Sequence, residues 1–183
     1  IYKDISFVHL VKNLPVCINC LSQFELLNLT VDFHHHPLTI LYKYNEFFQS
    51  LLYQYKGLYD YALKDTFLCL LDTNLKQRYQ NFIITPIPSF QDDNVLRGFA
   101  PMEEIAKTLS SQVFNGLYKK EKYKQSELSF QERKQVYRKI GIKHQEQLYH
   151  KDVLIIDDVL TSGSTMKACL DLVMTCYPRK VEL

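Results

Sequence analysis

The apolar and polar positions of this chain fall into runs that alternate between strand-like and helix-like periods. Thr39-Ile40-Leu41-Tyr42-Lys43-Tyr44 is rich in β-branched and aromatic residues and predicts a strand. Asn45 is placed to cap a helix from Glu46 to about Tyr55, where Phe48, Leu51, Leu52 and Tyr55 recur at helical spacing until Gly57 interrupts them. A second helix is predicted from Tyr61 to Arg78, with Leu63, Phe67, Leu70 and Leu71 on one face. Phe82-Ile83-Ile84-Thr85 predicts a short buried strand, which Pro86-Ile87-Pro88 stops because proline cannot donate to a ladder. Pro101 suits the first turn of a helix predicted from Met102 to Phe114. A short strand is expected within residues 115–125, and a polar helix at 130–139. Val153-Leu154-Ile155-Ile156 is continuously apolar, as a parallel strand covered on both faces must be. A helix from Ser164 to Cys176 would bury Cys169, Leu172, Val173 and Cys176, and Val181-Glu182-Leu183 starts a further strand. From Thr39 onward strands alternate with helices, the order of an α/β domain with a largely parallel sheet flanked by helices. Residues 1–38 carry no long periodic element and read as a small amino-terminal appendage ahead of a main domain at 39–183.

Composition narrows this picture modestly. A chain of 183 residues can bury a hydrophobic core without disulfide staples. Its net charge of +2 neither demands nor excludes a nucleic-acid partner. The local basic stretch is Lys119-Lys120-Glu121-Lys122-Tyr123-Lys124, preceded by Tyr118. Its mixture of charge and rings suits either a solvated face or a groove for single-stranded DNA. Five cysteines, an odd number without regular spacing, argue against a secreted disulfide framework. The sequence has no apolar run long enough to cross a bilayer and no signal peptide, so the cytoplasm is the expected compartment.

The stretch with the most chemistry follows the apolar run: Asp157-Asp158-Val159-Leu160-Thr161-Ser162-Gly163-Ser164-Thr165. A buried strand delivers two carboxylates at its carboxyl end, a loop of small hydroxyl-bearing residues follows, and a helix opens. Ligands of open parallel sheets bind outside the carboxyl ends of strands. A helix start offers unpaired N–H groups and the positive end of a dipole, which together hold a phosphate. Gly163 lets the backbone approach the anion, and Thr161, Ser162, Ser164 and Thr165 add hydroxyl donors. Asp157 and Asp158 suit ribose hydroxyls, and can position a divalent cation directly or through water. The glycine–lysine pattern of a P-loop and the three glycines of a dinucleotide fingerprint are both missing.

Four apolar residues, two acids and a Thr/Ser-Gly-Ser/Thr loop resemble the phosphoribosyl pyrophosphate signature of type I phosphoribosyltransferases. Three more segments are similar to one branch of that superfamily, the ComF-type late-competence proteins. They are Cys17-Ile18-Asn19-Cys20 through Phe24, Pro86-Ile87-Pro88 with Arg97-Gly98-Phe99, and Gln125-Ser126-Glu127-Leu128-Ser129 with Arg133, in family order. The resemblance implies a type I phosphoribosyltransferase-like fold and a part in DNA uptake during natural transformation, beside a helicase-like competence ATPase at the inner face of the membrane. It implies phosphoribosyl pyrophosphate or a nucleotide as ligand, with Mg²⁺. Thr85, Pro86, Ile87, Pro88 and Ser89 would form a pyrophosphate loop with Arg97 adding charge, and residues 118–138 a mobile flap. Chemistry in this fold is attack on C1 of the sugar with loss of pyrophosphate, and Asp157 and Asp158 would be its catalytic acids. Gln91, Asp92 and Asp93 stand where the family carries basic residues, and Ala100 and Pro101 where it carries Asn-Gln. These departures bear on turnover more than on binding.

Cys17 and Cys20 resemble the pair that opens the family's zinc-binding appendage. Structural zinc takes four ligands, and the further pairs are missing; His34, His35 and His36 are the nearest additional donors in sequence. Two other functions stay open: an active phosphoribosyltransferase of nucleotide salvage or synthesis, and a non-catalytic scaffold for single-stranded DNA. No dedicated base-recognition hood is visible, which weighs against salvage.

Overall fold

The apolar run at residues 153–156 lies at the centre of a parallel sheet in the computed structural model, which describes residues 15–120 and 139–183. Along the chain the elements are α1 (Ile18–Leu21), β1 (Leu26–Phe33), β2 (His36–Tyr42), α2 (Glu46–Gly57), α3 (Asp72–Tyr79), β3 (Ile83–Pro86), α4 (Gln91–Arg97) and α5 (Pro101–Leu109). They continue with β4 (Leu117–Lys119), β5 (Ile140–Ile142), β6 (Asp152–Ile156), α6 (Ser164–Met174) and β7 (Lys180–Glu182), and 3-10 turns cover Tyr61–Asp65 and Gln145–Leu148.

The sheet runs β3–β6–β7, parallel throughout, with Ile83 opposite Val153 and Leu154 opposite Glu182. Side chains of β6 alternate between its faces. Val153 and Ile155 pack with Met166, Cys169, Leu170 and Val173 of α6. Leu154 packs on the other face with Tyr79 of α3 and Ala106 and Leu109 of α5. Helices therefore cover both faces, as the apolar run required.

Both edges of the sheet are extended. Ile84 forms a parallel bridge with Val113. At the other edge the Leu183 N–H donates to Pro37 C=O (2.9 Å) and the Thr39 N–H donates to Leu183 C=O (2.8 Å), which joins the β1–β2 hairpin to the sheet. The hairpin turns at His34 and His35, whose φ values of 53° and 67° make a tight two-residue turn between the paired Phe33 and His36. The His35 N–H donates to Asp32 Oδ1 and braces it. The hairpin runs across residue 38, where the appendage was expected to end.

An aromatic cluster ties the amino-terminal part to the rest. Phe24, Phe48, Tyr55 and Phe67 pack with Met102 and Ile105 of α5. Tyr55 is fully buried, and its hydroxyl donates to Pro101 C=O at 2.9 Å. Tyr55→Phe keeps the ring but removes that hydrogen bond, so we expect a loss of about 1 kcal/mol. It should show as a lower urea midpoint at unchanged slope. An unmoved midpoint would deny the bond any role.

Several expectations need correction. The helix expected from Tyr61 to Arg78 is broken: a 3-10 turn ends at Asp65, and α3 begins only at Asp72. Phe67 drives the break by packing against the rings of Phe48 and Tyr55, while Leu70, assigned to the buried face, is 41% exposed. α5 stops at Leu109 rather than Phe114, because the chain must become extended to bridge Ile84. β1, α4 and β5 were not expected. The polar segment expected at 130–139, the Gln125–Ser129 motif, Arg133 and most of the flap lie outside the described residues. Among the described residues no helix is long and apolar enough to cross a membrane.

Candidate functional site

At the carboxyl end of β6 the chain leaves the sheet, turns, and enters α6 through Gly163, which adopts the left-handed conformation at φ 71°. Residues 157–166 line a pocket of about 240 Å³ without a gap. The turn foreseen as a phosphate cradle thus faces open space. The Ser162 and Ser164 hydroxyls lie 3.0 Å apart, and the Ser164 N–H reaches Ser162 Oγ at 3.4 Å. The opening turn of α6 lines this space, and the first N–H groups of a helix have no acceptors within the helix itself. A second cavity, of about 380 Å³, lies behind the same acidic turn among Phe48, Leu52, Phe67 and Ile105. Its mostly apolar wall leaves anion chemistry to the first.

The rest of the pocket is lined by Ile87, Pro88 and Ser89, together with Lys56, Met102 and Lys119. Of the residues expected as a pyrophosphate loop, Ile87, Pro88 and Ser89 reach the pocket. Thr85 is fully buried in β3 opposite Ile155, and its hydroxyl has no hydrogen-bond partner. Pro86 pairs with Ile156 at the end of the ladder. Arg97 does not line the pocket; its Nε donates to Lys56 C=O at 2.9 Å and holds the end of α2.

Lys56 is the residue that sequence reasoning missed. Its Nζ pairs with Asp158 Oδ2 at 2.5 Å, across 102 positions of chain. No local pattern announces such a pair. Lys119 was legible only as part of a basic run; the structure turns it from the solvated face into the pocket wall, while Lys120 stays exposed. Tyr118 lies over Gly141, with the Lys143 ammonium 4.8 Å from its ring centre.

These groups set one another's protonation. Burial is the main cause that pushes the Asp157 carboxyl up, to about 8, and the neighbouring Asp158 adds to it. Burial also pushes Asp158 up, but the Lys56 ammonium and hydrogen bonds outweigh it, and the net direction is down. The Asp158 N–H donates to Asp157 Oδ1 at 2.9 Å. Lys119 is held below its ordinary value, chiefly by burial. Burial pushes the Cys169 thiol beneath the pocket up to about 12, so it stays protonated. Near neutral pH the acidic pair therefore carries a single negative charge, which Lys56 balances.

A divalent cation such as Mg²⁺ is held in sites of this kind through one or two carboxylates together with substrate phosphates. Asp158 is already paired with Lys56, and Asp157 holds a proton. The acids as arranged do not fit direct coordination. Cys17 and Cys20 are two partly exposed thiols, one before and one within α1. Hydrogen bonding from the Cys20 N–H lowers Cys17, whereas burial raises Cys20. Among the described residues no His, Cys, Asp or Glu joins them into a set of three, so a closed four-ligand zinc site is not formed there. The histidines at 34–36 belong to the hairpin turn instead.

None of the curated proteins matches the chain closely enough to count. The family comparison falls on the carboxyl-terminal part, covering α5, β6, the acidic turn, α6 and β7 but not Lys56 or the Ile87–Ser89 wall. Residues 96–183 match the model of the phosphoribosyl transferase domain family.

Proposed function

We propose that the pocket binds phosphoribosyl pyrophosphate or a related nucleotide. The sugar phosphate rests on Thr161, Ser162, Gly163, Ser164 and Thr165, the pentose hydroxyls meet Asp157 and Asp158, and the pyrophosphate lies toward Ile87, Pro88 and Ser89. The observation that carries this reading is the unbroken lining of one pocket by residues 157–166, with Lys56 and Lys119 lining the same pocket. Anion and pentose are chemically distinct, and the turn presents amides and hydroxyls for one and carboxyl groups for the other. α4 brings Gln91, Asp92 and Asp93 just beyond Ser89, where a pyrophosphate calls for cations. That favours ligand binding over rapid turnover. The setting we infer is the DNA-uptake role of ComF-type proteins, supported by the resemblances at Cys17–Phe24, Pro86–Pro88 and Arg97–Phe99.

Calorimetric titration tests the reading. Phosphoribosyl pyrophosphate should bind more tightly than ribose 5-phosphate, and inorganic phosphate most weakly. Asp157→Asn/Asp158→Asn should weaken the sugar ligands about tenfold relative to inorganic phosphate, the worth of one or two lost hydroxyl contacts. If the variant binds all three as the wild type does, the acids do not face the pentose.

A further inference from the structure

Lys56 stands at the carboxyl end of α2, where a helix dipole favours a cation. Its main chain is fixed from a second direction by the Arg97 Nε bond to its carbonyl. Its side chain is 25% exposed and that of its partner Asp158 20% exposed. An ammonium group has three donors, and Asp158 uses only part of that capacity. Lys56 also lines the pocket, as does Lys119 from β4. Two lysines from separate elements thus face the turn that presents the acids.

We infer that Lys56 does, from within the chain, the charge-balancing work that a divalent cation does between an acidic pair and a phosphorylated sugar, so that ligands bind this pocket without divalent metal. A metal ion seated on Asp158 would sit directly beside the Lys56 ammonium that already pairs with its Oδ2. Like charges that close, in a pocket partly shielded from water, repel strongly. Lys56 has no such conflict. It bridges Asp158 and the incoming phosphate as it stands, much as a metal bridges carboxylate and phosphate, and Lys119 lines the same pocket. The residue lies outside the stretch that matches the phosphoribosyl transferase domain. This is a feature of the chain's own amino-terminal half, and it rests on the sugar-phosphate reading given above.

The test is calorimetric affinity for ribose 5-phosphate and phosphoribosyl pyrophosphate, each in EDTA and in Mg²⁺. Wild type, Lys56→Met and Lys56→Arg are compared, and melting curves confirm that each is folded. The wild type should bind equally well in EDTA and in Mg²⁺. Lys56→Met should bind about tenfold or more weakly in EDTA, the scale of a lost charge-assisted hydrogen bond, and Mg²⁺ should recover much of the loss. Lys56→Arg keeps the charge and should keep metal-independence. Wild-type binding that appears only with Mg²⁺ would overturn the inference and leave the pocket assignment standing. So would a Lys56→Met variant that binds normally in EDTA. Failure of both ligands to bind under either condition would sink the pocket assignment and the inference with it.

Discussion

Gly163→Val will lower affinity for phosphoribosyl pyrophosphate by about a hundredfold, equivalent to roughly 2.7 kcal/mol. Two separate costs combine. Gly163 sits at φ 71°, where a β-branched residue is strained by about 1–3 kcal/mol. A Cβ at that position also meets the Phe33 ring, with Cε2 at 2.9 Å and Cζ at 3.1 Å. The loop relieves both by rotating out of its left-handed turn, and the rotation redirects the amides that face the anion. Gly163→Ala should show a smaller loss. Phe33→Ala should relieve its steric share while the backbone share persists, so the two substitutions will not add. Calorimetric affinity, with melting temperature as the control for folding, reads the effect. Wild-type affinity in a folded Gly163→Val protein would mean that the turn's conformation is not what holds the phosphate.

Phe33 also shows why part of the site was legible in the sequence and part was not. The strand, the acidic turn and the helix start are one continuous stretch, and each requirement is local: apolar residues for a doubly covered strand, glycine for a positive φ, hydroxyls at a helix entrance. Residues 153–166 could therefore be read directly. Phe33 reaches Gly163 from the hairpin, and Lys56 reaches Asp158 from α2. Such contacts depend on how the hairpin and α2 pack, and leave no mark on spacing.

The same division explains the fold. α2 was legible because Phe48, Leu51, Leu52 and Tyr55 share one buried face and Asn45 caps it, its side chain accepting from the Phe48 N–H at 2.9 Å. β1 was not, because Leu26, Leu27 and Leu29 are all about half exposed, at 49%, 47% and 51%, and a strand open on both sides shows no alternation. The segment from Tyr61 to Arg78 has helical spacing, yet tertiary packing of Phe67 overrides it. Where burial follows the local period, the sequence speaks; where a ring from elsewhere decides, it is silent.

Asp157→Asn will raise the melting temperature at pH 8, and the gain will vanish as the pH falls toward 4. Burial and Asp158 push the Asp157 carboxyl up to about 8, with Lys56 on α2, Lys119 on β4 and the Cys169 thiol on α6 as the other facing groups. In the unfolded chain an aspartate loses its proton near its ordinary value of about 4. Between those values the folded state holds more protons than the unfolded one, so stability falls as pH rises, by at most about 1.4 kcal/mol per unit. The stability that Asp157 contributes is fully present below about pH 4 and is lost by about pH 8. Asparagine has nearly the same shape and no proton to lose, so its advantage grows across that window and then levels off. A difference of a few kcal/mol corresponds to about 5–10 °C in a chain of this size. Asp158 acts in the opposite sense and elsewhere: Lys56 holds its carboxyl down, so its contribution is present above about pH 4 and is lost only in more acidic solution. Melting temperatures of wild type and Asp157→Asn at pH 4.5, 6 and 8, chosen as rough samples of the window, separate the two effects. A constant difference at all three would show that Asp157 ionises as an exposed aspartate does. The predicted divergence would mean instead that the pocket awaits its ligand with one acid protonated. That acid both donates to and accepts from a pentose hydroxyl, and adds no charge to repel the phosphate.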